Sequence, residues 1–192
     1  MLFPAIDIIR QELNNALVAD HIHVELGNIS EILSDPNTNR DETAIIISLI
    51  NIEENRVSRD PNNYIRKGDG ILMKNPAVHL YLSLLFTAIR QTSNHFNDQA
   101  LQDLQQVIGF FQKKFVFDHS NTPNLDVNIE KLILDMVSLN LQQMHEIWTV
   151  LGGKYFPSVV YRMRMVTIDY VSEIKGPLIE EIETDYFKIE QP

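Results

Sequence analysis

Hydrophobic positions along this chain recur in two periods, one helical and one alternating. From Phe3 to Val18, residues Ile6, Ile9, Leu13 and Leu17 repeat at helical spacing and predict an amphipathic helix. A second stripe, Leu101, Leu104, Val107, Ile108 and Phe111, predicts a helix in "NDQALQDLQQVIGFFQ". A third, Leu141, Met144, Ile147, Trp148 and Leu151, lies in "SLNLQQMHEIWTVLGG". Its boundaries are written in local chemistry. Asn140 and Gln143 make a capping-box pair, Leu139 and Met144 sit where a hydrophobic staple would, and Gly152 or Gly153 supplies the left-handed residue that ends the helix.

Alternation marks the strands. "HIHVELG" is a short one, followed by a helical turn over Ile29–Leu33. "TAIIISLINIEEN" is the strongest, apolar from Ala44 to Ile50 except at Ser48, and reads as a central strand covered on both faces. In "AVHLYLSLLFTAI", Val78, Leu80, Leu82, Leu84 and Phe86 share a face; in "LDVNIEKLILDMVSL", Leu132, Leu134 and Met136 do. The last strand, "SVVYRMRMVTIDY", sets Val159, Tyr161, Met163, Met165 and Thr167 against Val160, Arg162, Arg164, Val166 and Ile168. Between the second and third strands, "RVSRDPNNYIRKGDGILMKNP" reads as a long polar loop holding Arg56, Arg59, Arg66, Lys67 and Lys74; loops of that length in compact domains are usually functional or disordered. The order of elements predicts an α/β (α+β) domain over residues 1–170, one mixed sheet of about five strands packed with three helices. Residues 171–192 carry six carboxylates against two lysines and read as an acidic tail or docking arm.

Charge and composition narrow the chemistry. A net charge of −10 argues against a general nucleic-acid binder, which would show a basic face. The absence of cysteine removes disulfides and thiolate metal sites and suits a reducing cytosol. "MLFPAIDIIRQEL" lacks the pattern of a signal peptide, and no stretch has the roughly 18 apolar residues of a membrane span. Gly152-Gly153-Lys154 is not a phosphate loop. Its spacing is wrong, Tyr155 stands where Ser or Thr is needed, and the glycines end a helix instead of opening one. His21 and His23, two apart on a strand, face the same way but lack an evident third ligand. Glu53 and Glu54 are adjacent on a strand and point apart, and the serines show no nucleophile-elbow pattern. The residues therefore nominate no catalytic, cofactor-binding or metal-ligating set.

The wording of the sequence carries further than its physics. "LINIEENRVSRDPNNYIRKGDG", "NPAVHLYLSLLFTAI", "NDQALQDLQQVIGFFQ" and "IWTVLGGKYFPSVVYRMRMVTID", in that order and spacing, resemble the cap (tail-terminator) proteins of phage-tail-like contractile injection systems. The likeness runs from about Met1 to Tyr170. It implies a tail-terminator-like fold and a structural, non-enzymatic role without cofactors. The implied protein is a six-membered ring that ends the inner tube and sheath distal to the baseplate and fixes particle length. Its implied partners are copies of itself, tube protein and sheath protein, with no nucleic acid and no direct membrane contact. It would be cytoplasmic during assembly and then part of a particle released from the cell or anchored inside it. Against that job, Arg56, Arg59, Arg66 and Lys67 are expected to meet acidic groups on neighbours. "DYFKIE" is expected to present Phe187 and Ile189 on one side of an added strand. The bland readings are a solvated loop and a disordered tail. The competing class is a small-molecule-binding or enzymatic α/β domain, since fold does not fix function.

Overall fold

The computed structural model describes residues 2–34, 43–55, 64–67, 70–73, 79–89, 98–152, 154–167 and 174–175. In chain order the elements are α1 (Leu2–Leu17), a 3-10 turn (Val18–Asp20), β1 (His23–Leu26), α2 (Ile29–Ser34) and β2 (Thr43–Glu54). Next come β3 (Tyr64–Lys67), β4 (Gly70–Met73), β5 (Leu80–Ala88), α3 (Asp98–Lys113), β6 (Val116–Asp118) and β7 (Ile129–Val137). α4 (Leu141–Val150), β8 (Ser158–Thr167) and β9 (Ile174–Lys175) complete the order. Two compact units result: residues 1–59 with 78–168, and residues 60–77 with 169–192.

The larger unit is built on a six-stranded sheet of order β1-β2-β5-β8-β7-β6. Only β1 and β2 run parallel, and the crossover that a parallel pair requires contains α2; the remaining pairs are antiparallel. The sheet is thus mixed, as expected, with β6 as a sixth strand. β6 spans three residues, too short to display alternation in the sequence. β2 is second from the edge; β5 and β8 are the central strands.

Strand parity sorts the core into two layers. Ile45, Ile47, Leu82, Leu84, Phe86, Val159, Tyr161, Met163 and Met165 point to one face, where α1 and α3 pack. An aromatic cluster fills that layer, with ring centroids 5.3 Å apart for Phe86–Phe111 and 4.6 Å for Phe111–Tyr161. Ile46, Leu85 and Val160 point to the other face and meet Ile29 of α2 and Trp148 of α4. The alternation read in β5 and β8 is the alternation of these two layers.

Three stripe positions depart from expectation. Leu101 is exposed because α3 turns Ala100, Asp103, Leu104, Val107 and Phe111 inward, about one residue around from the predicted stripe. Met136 is exposed near the end of β7, and Leu141 is exposed at the first turn of α4, ahead of the turns that lie on the sheet. The caps of α4 are as predicted. Gln143 N donates to the Asn140 side chain at 2.8 Å, Asn140 N donates back to Gln143 Oε1 at 3.0 Å, and Gly152 has φ 103°. Leu139 and Met144 both pack against the Trp148 cluster.

Side chains lock the edge of the sheet. Asn14 of α1 uses its amide as a substitute strand: Nδ2 donates to Val24 O and Oδ1 accepts from Val24 N, both at 2.8 Å. That satisfies β1 where another chain could otherwise pair. Ser48, the one polar residue in the apolar run of β2, donates to Gly27 O at 2.7 Å and accepts from Ile29 N, fixing the turn from β1 into α2. Lys114 donates to Glu12 Oε2 at 2.6 Å and to Asn121 O at 3.0 Å, joining α1 to the end of α3.

Candidate functional site

The residues nominated from sequence fall in the smaller unit or outside the described residues. Arg56, Arg59, Phe187 and Ile189 lie outside them. Arg66 and Lys67 belong to β3, paired antiparallel with Ile71 and Gly70 of β4. The segment read as a polar loop therefore holds a β-hairpin. Its four-residue strands are interrupted by glycine and charge, so no period shows in the sequence. β9 pairs with the same hairpin, Lys175 with Leu72 and Ile174 with Met73, which makes a three-stranded sheet β3-β4-β9.

Nothing among the described residues assembles reaction chemistry. No group of three His, Cys, Asp or Glu side chains is placed to hold a metal ion. His21 sits in the left-handed region at φ 53°, before β1 begins, so it does not share a strand face with His23; His23 instead lies 3.3 Å from Glu25. Asp118 and Asp126 have pKa values below the usual carboxylate range. Ser120 hydroxyl and backbone donors hold Asp118, and Asn128 donors hold Asp126. Both arrangements stabilise turns, one at the end of β6 and one ahead of β7. Burial pushes the Tyr161 phenol up in the aromatic layer. These groups share no cleft.

Two surfaces of the larger unit stand out. One is an apolar groove of about 720 Å³ where β1 ends. Phe3 and Ile6 of α1 flank it, with Leu26 from the end of β1, Leu49 and Ile50 from the middle of β2, and Ile147, Val150 and the capping residue Leu151 from the end of α4. Phe3 is 69% and Val150 85% exposed, so the groove continues onto an apolar surface. Its polar groups are few: Asn28, Ser48 and Glu146. Sequence reasoning missed it because its walls come from four elements. Phe3 and Val150, standing off the helical stripes, were the available signal.

The other surface is the part of the second sheet face beyond α2 and α4. Register places Arg162 between Asp135 and Ser83, and Arg164 beside Tyr81. Arg162 lies over the Tyr81 ring at 5.5 Å from its centroid. The alternation of β8 had put Arg162 and Arg164 on the Val160 face, and the structure agrees. Their proximity to Tyr81 and Asp135 depends on strand order and was not readable.

The larger unit thus presents an apolar groove and a polar sheet face on a mixed six-stranded sheet. Comparison with known proteins agrees with that architecture. No curated protein matches the chain. A solved sheath/tube terminator of an extracellular contractile injection system, PVC, in its extended state, is 14% identical; it covers 98% of this chain with a TM-score of 0.62. The tube-terminating cap of the anti-feeding prophage is also 14% identical and covers 95% with a TM-score of 0.64. The chain spans 64% and 60% of those two proteins, less than two thirds of either. At that identity the likeness establishes a shared tail-terminator fold. The Pvc16 N-terminal domain family matches residues 5–181, past Tyr170 and past β9. By that match over nearly its whole length, the chain belongs to the family of the Pvc16 N-terminal domain.

Proposed function

We propose that this protein terminates the tube and sheath of a contractile injection particle. Six copies form a ring at the end distal to the baseplate, stop polymerisation and fix particle length. The observation that carries the reading is a fold shared over 98% and 95% of the chain with two solved proteins described as tube or sheath/tube terminators. Membership of the Pvc16 N-terminal domain family supports it. The role is structural and needs no cofactor. The protein assembles in the cytoplasm and then travels with the particle; no helix among the described residues is long and apolar enough to cross a membrane.

A terminating ring needs head-to-tail contacts that close and a second surface that engages the last tube and sheath rings. The exposed apolar groove suits one of these. The basic stretch Arg56, Arg59, Arg66 and Lys67 suits the other, because arginine pairs bidentately with carboxylates and fixes register. Residues 171–192 serve as a docking arm, with Phe187 and Ile189 as its apolar side. A small-molecule-binding or enzymatic domain is the second reading, favoured by one observation: the groove, at about 720 Å³, has the volume of a ligand pocket.

The test is a strain carrying Arg59→Glu with Arg66→Glu. A melting temperature of the variant equal to wild type shows that the fold is kept, since substitutions outside a core change stability by about 0.5 kcal/mol or less. Capping is expected to fail, giving particles of uncontrolled length or particles that fray from the distal end. Wild-type lengths with full cap occupancy would show that the basic stretch is a solvated surface. Electron microscopy of purified particles with this chain labelled tests the terminator role itself, which fails if the label lies anywhere but the end distal to the baseplate.

A further inference from the structure

The sheet face left open by α2 and α4 carries cations in an acidic molecule. Strand register puts Lys131, Arg162 and Arg164 on it, with Asp135 opposite Arg162 and Glu53 opposite Tyr81. Glu53 is held by Asn51, whose Nδ2 donates to it at 2.8 Å. Asp118 stands opposite Lys131, so the face has three cations and three carboxylates, a local balance on a chain whose net charge is −10. Nε of Arg164 is buried and has no hydrogen-bond partner. Among the described residues neither guanidinium is ion-paired, with Asp135 or with any other carboxylate. Beside them is a depression of about 410 Å³ lined by Tyr81, Asp135, Met136, Ser138, Arg162 and Arg164.

A buried guanidinium donor without an acceptor is costly, and an arriving carboxylate removes the cost with a charge-assisted bond. The chain supplies such carboxylates. Residues 176–192 hold Glu180, Glu181, Glu183, Asp185 and Glu190 against Lys188 alone. We propose that the Arg162–Arg164 face receives the acidic segment 176–192 of a neighbouring copy. Arg164 and Arg162 take carboxylates, and the Tyr81 ring keeps the Arg162 guanidinium presented. A segment of one copy on the face of the next is a heterologous contact, the kind that closes into a ring. The contact rests on the terminator reading only for that closure.

The experiment is fluorescence anisotropy of a labelled peptide of residues 176–192 titrated with the full chain at low ionic strength. Binding that weakens with salt is expected. Arg162→Glu with Arg164→Glu should weaken it at least about ten-fold, the equivalent of one lost charge-assisted contact. A peptide with Glu180→Lys, Glu181→Lys and Glu183→Lys should recover affinity for the reversed chain. Arg162→Gln alone, at an exposed position, gives the same direction of change if the double reversal does not fold. A wild-type chain that ignores the peptide, or a reversed chain that binds it equally, overturns the proposal. On particles, six-fold caps built from the reversed chain would overturn this contact and leave the terminator reading standing. Peptide binding intact with the chain absent from particle ends would do the opposite.

Discussion

Trp148→Ala would remove the centre of the smaller core layer. Trp148 is 4% exposed and packs with Ile29, Ile46, Leu85, Ile89 and Val160; ring centroids of Phe156 and Tyr155 lie 6.0 Å and 5.8 Å from its own. A buried tryptophan truncated to alanine loses its transfer free energy and leaves a cavity, a cost of about 3–5 kcal/mol. α4 cannot easily collapse into that space, because its start is fixed by the Asn140 capping box and its end by Gly152. For a chain of this size each kcal/mol lowers the melting temperature by about 2–4 °C. The expected shift is therefore about 6–20 °C, read by far-UV circular dichroism. Trp148→Phe keeps a ring in the site and should lose less than half as much. Because the chain has one tryptophan, its fluorescence reports on this layer alone, and red-shifted native emission would place Trp148 in water. A melting temperature within about 2 °C of wild type for Trp148→Ala would refute the packing argument.

Asn140→Ala removes the bond that Gln143 N donates to the Asn140 side chain, while the backbone N–H of residue 140 can still donate to Gln143; the loss should cost about 1 kcal/mol, seen as a lower urea midpoint at unchanged slope. Asn14→Ala removes both bonds to Val24 and uncovers the edge of β1. It should cost about 1–3 kcal/mol and raise light scattering through edge-to-edge association, and a monodisperse variant would show that the edge is guarded by something else. Asp118 has a lowered pKa, chiefly from the Ser120 hydroxyl, so its contribution is present above the unfolded carboxylate pKa and lost as pH falls through the lower folded value. The melting-temperature gap between wild type and Asp118→Asn should be full above about pH 5 and shrink as pH falls through the lowered folded value; a gap independent of pH would contradict that assignment.

The sequence by itself determined whatever is local. The α4 caps at Asn140, Gln143 and Gly152, the burial of Ile9, Leu13, Phe111 and Trp148, and the two-sided alternation of β5 and β8 follow from periods and caps that act within a few residues. The order of its segments also carried the family likeness, which no single motif did. Tertiary structure decided what depends on neighbours. β6, β3, β4 and β9 span four residues or fewer and are strands because a partner strand completes their hydrogen bonds, so nothing in their own pattern announces them. Leu101 and Leu141 had the right spacing and the wrong surroundings: a helix buries only the arc that its neighbours reach. The groove at the end of β1 joins residues as far apart as Phe3 and Leu151, and the cluster of Arg162, Arg164, Tyr81 and Asp135 joins residues as far apart as Tyr81 and Arg164. They exist because strand order set them side by side, and strand order is fixed by packing the whole core, which no short stretch of sequence encodes.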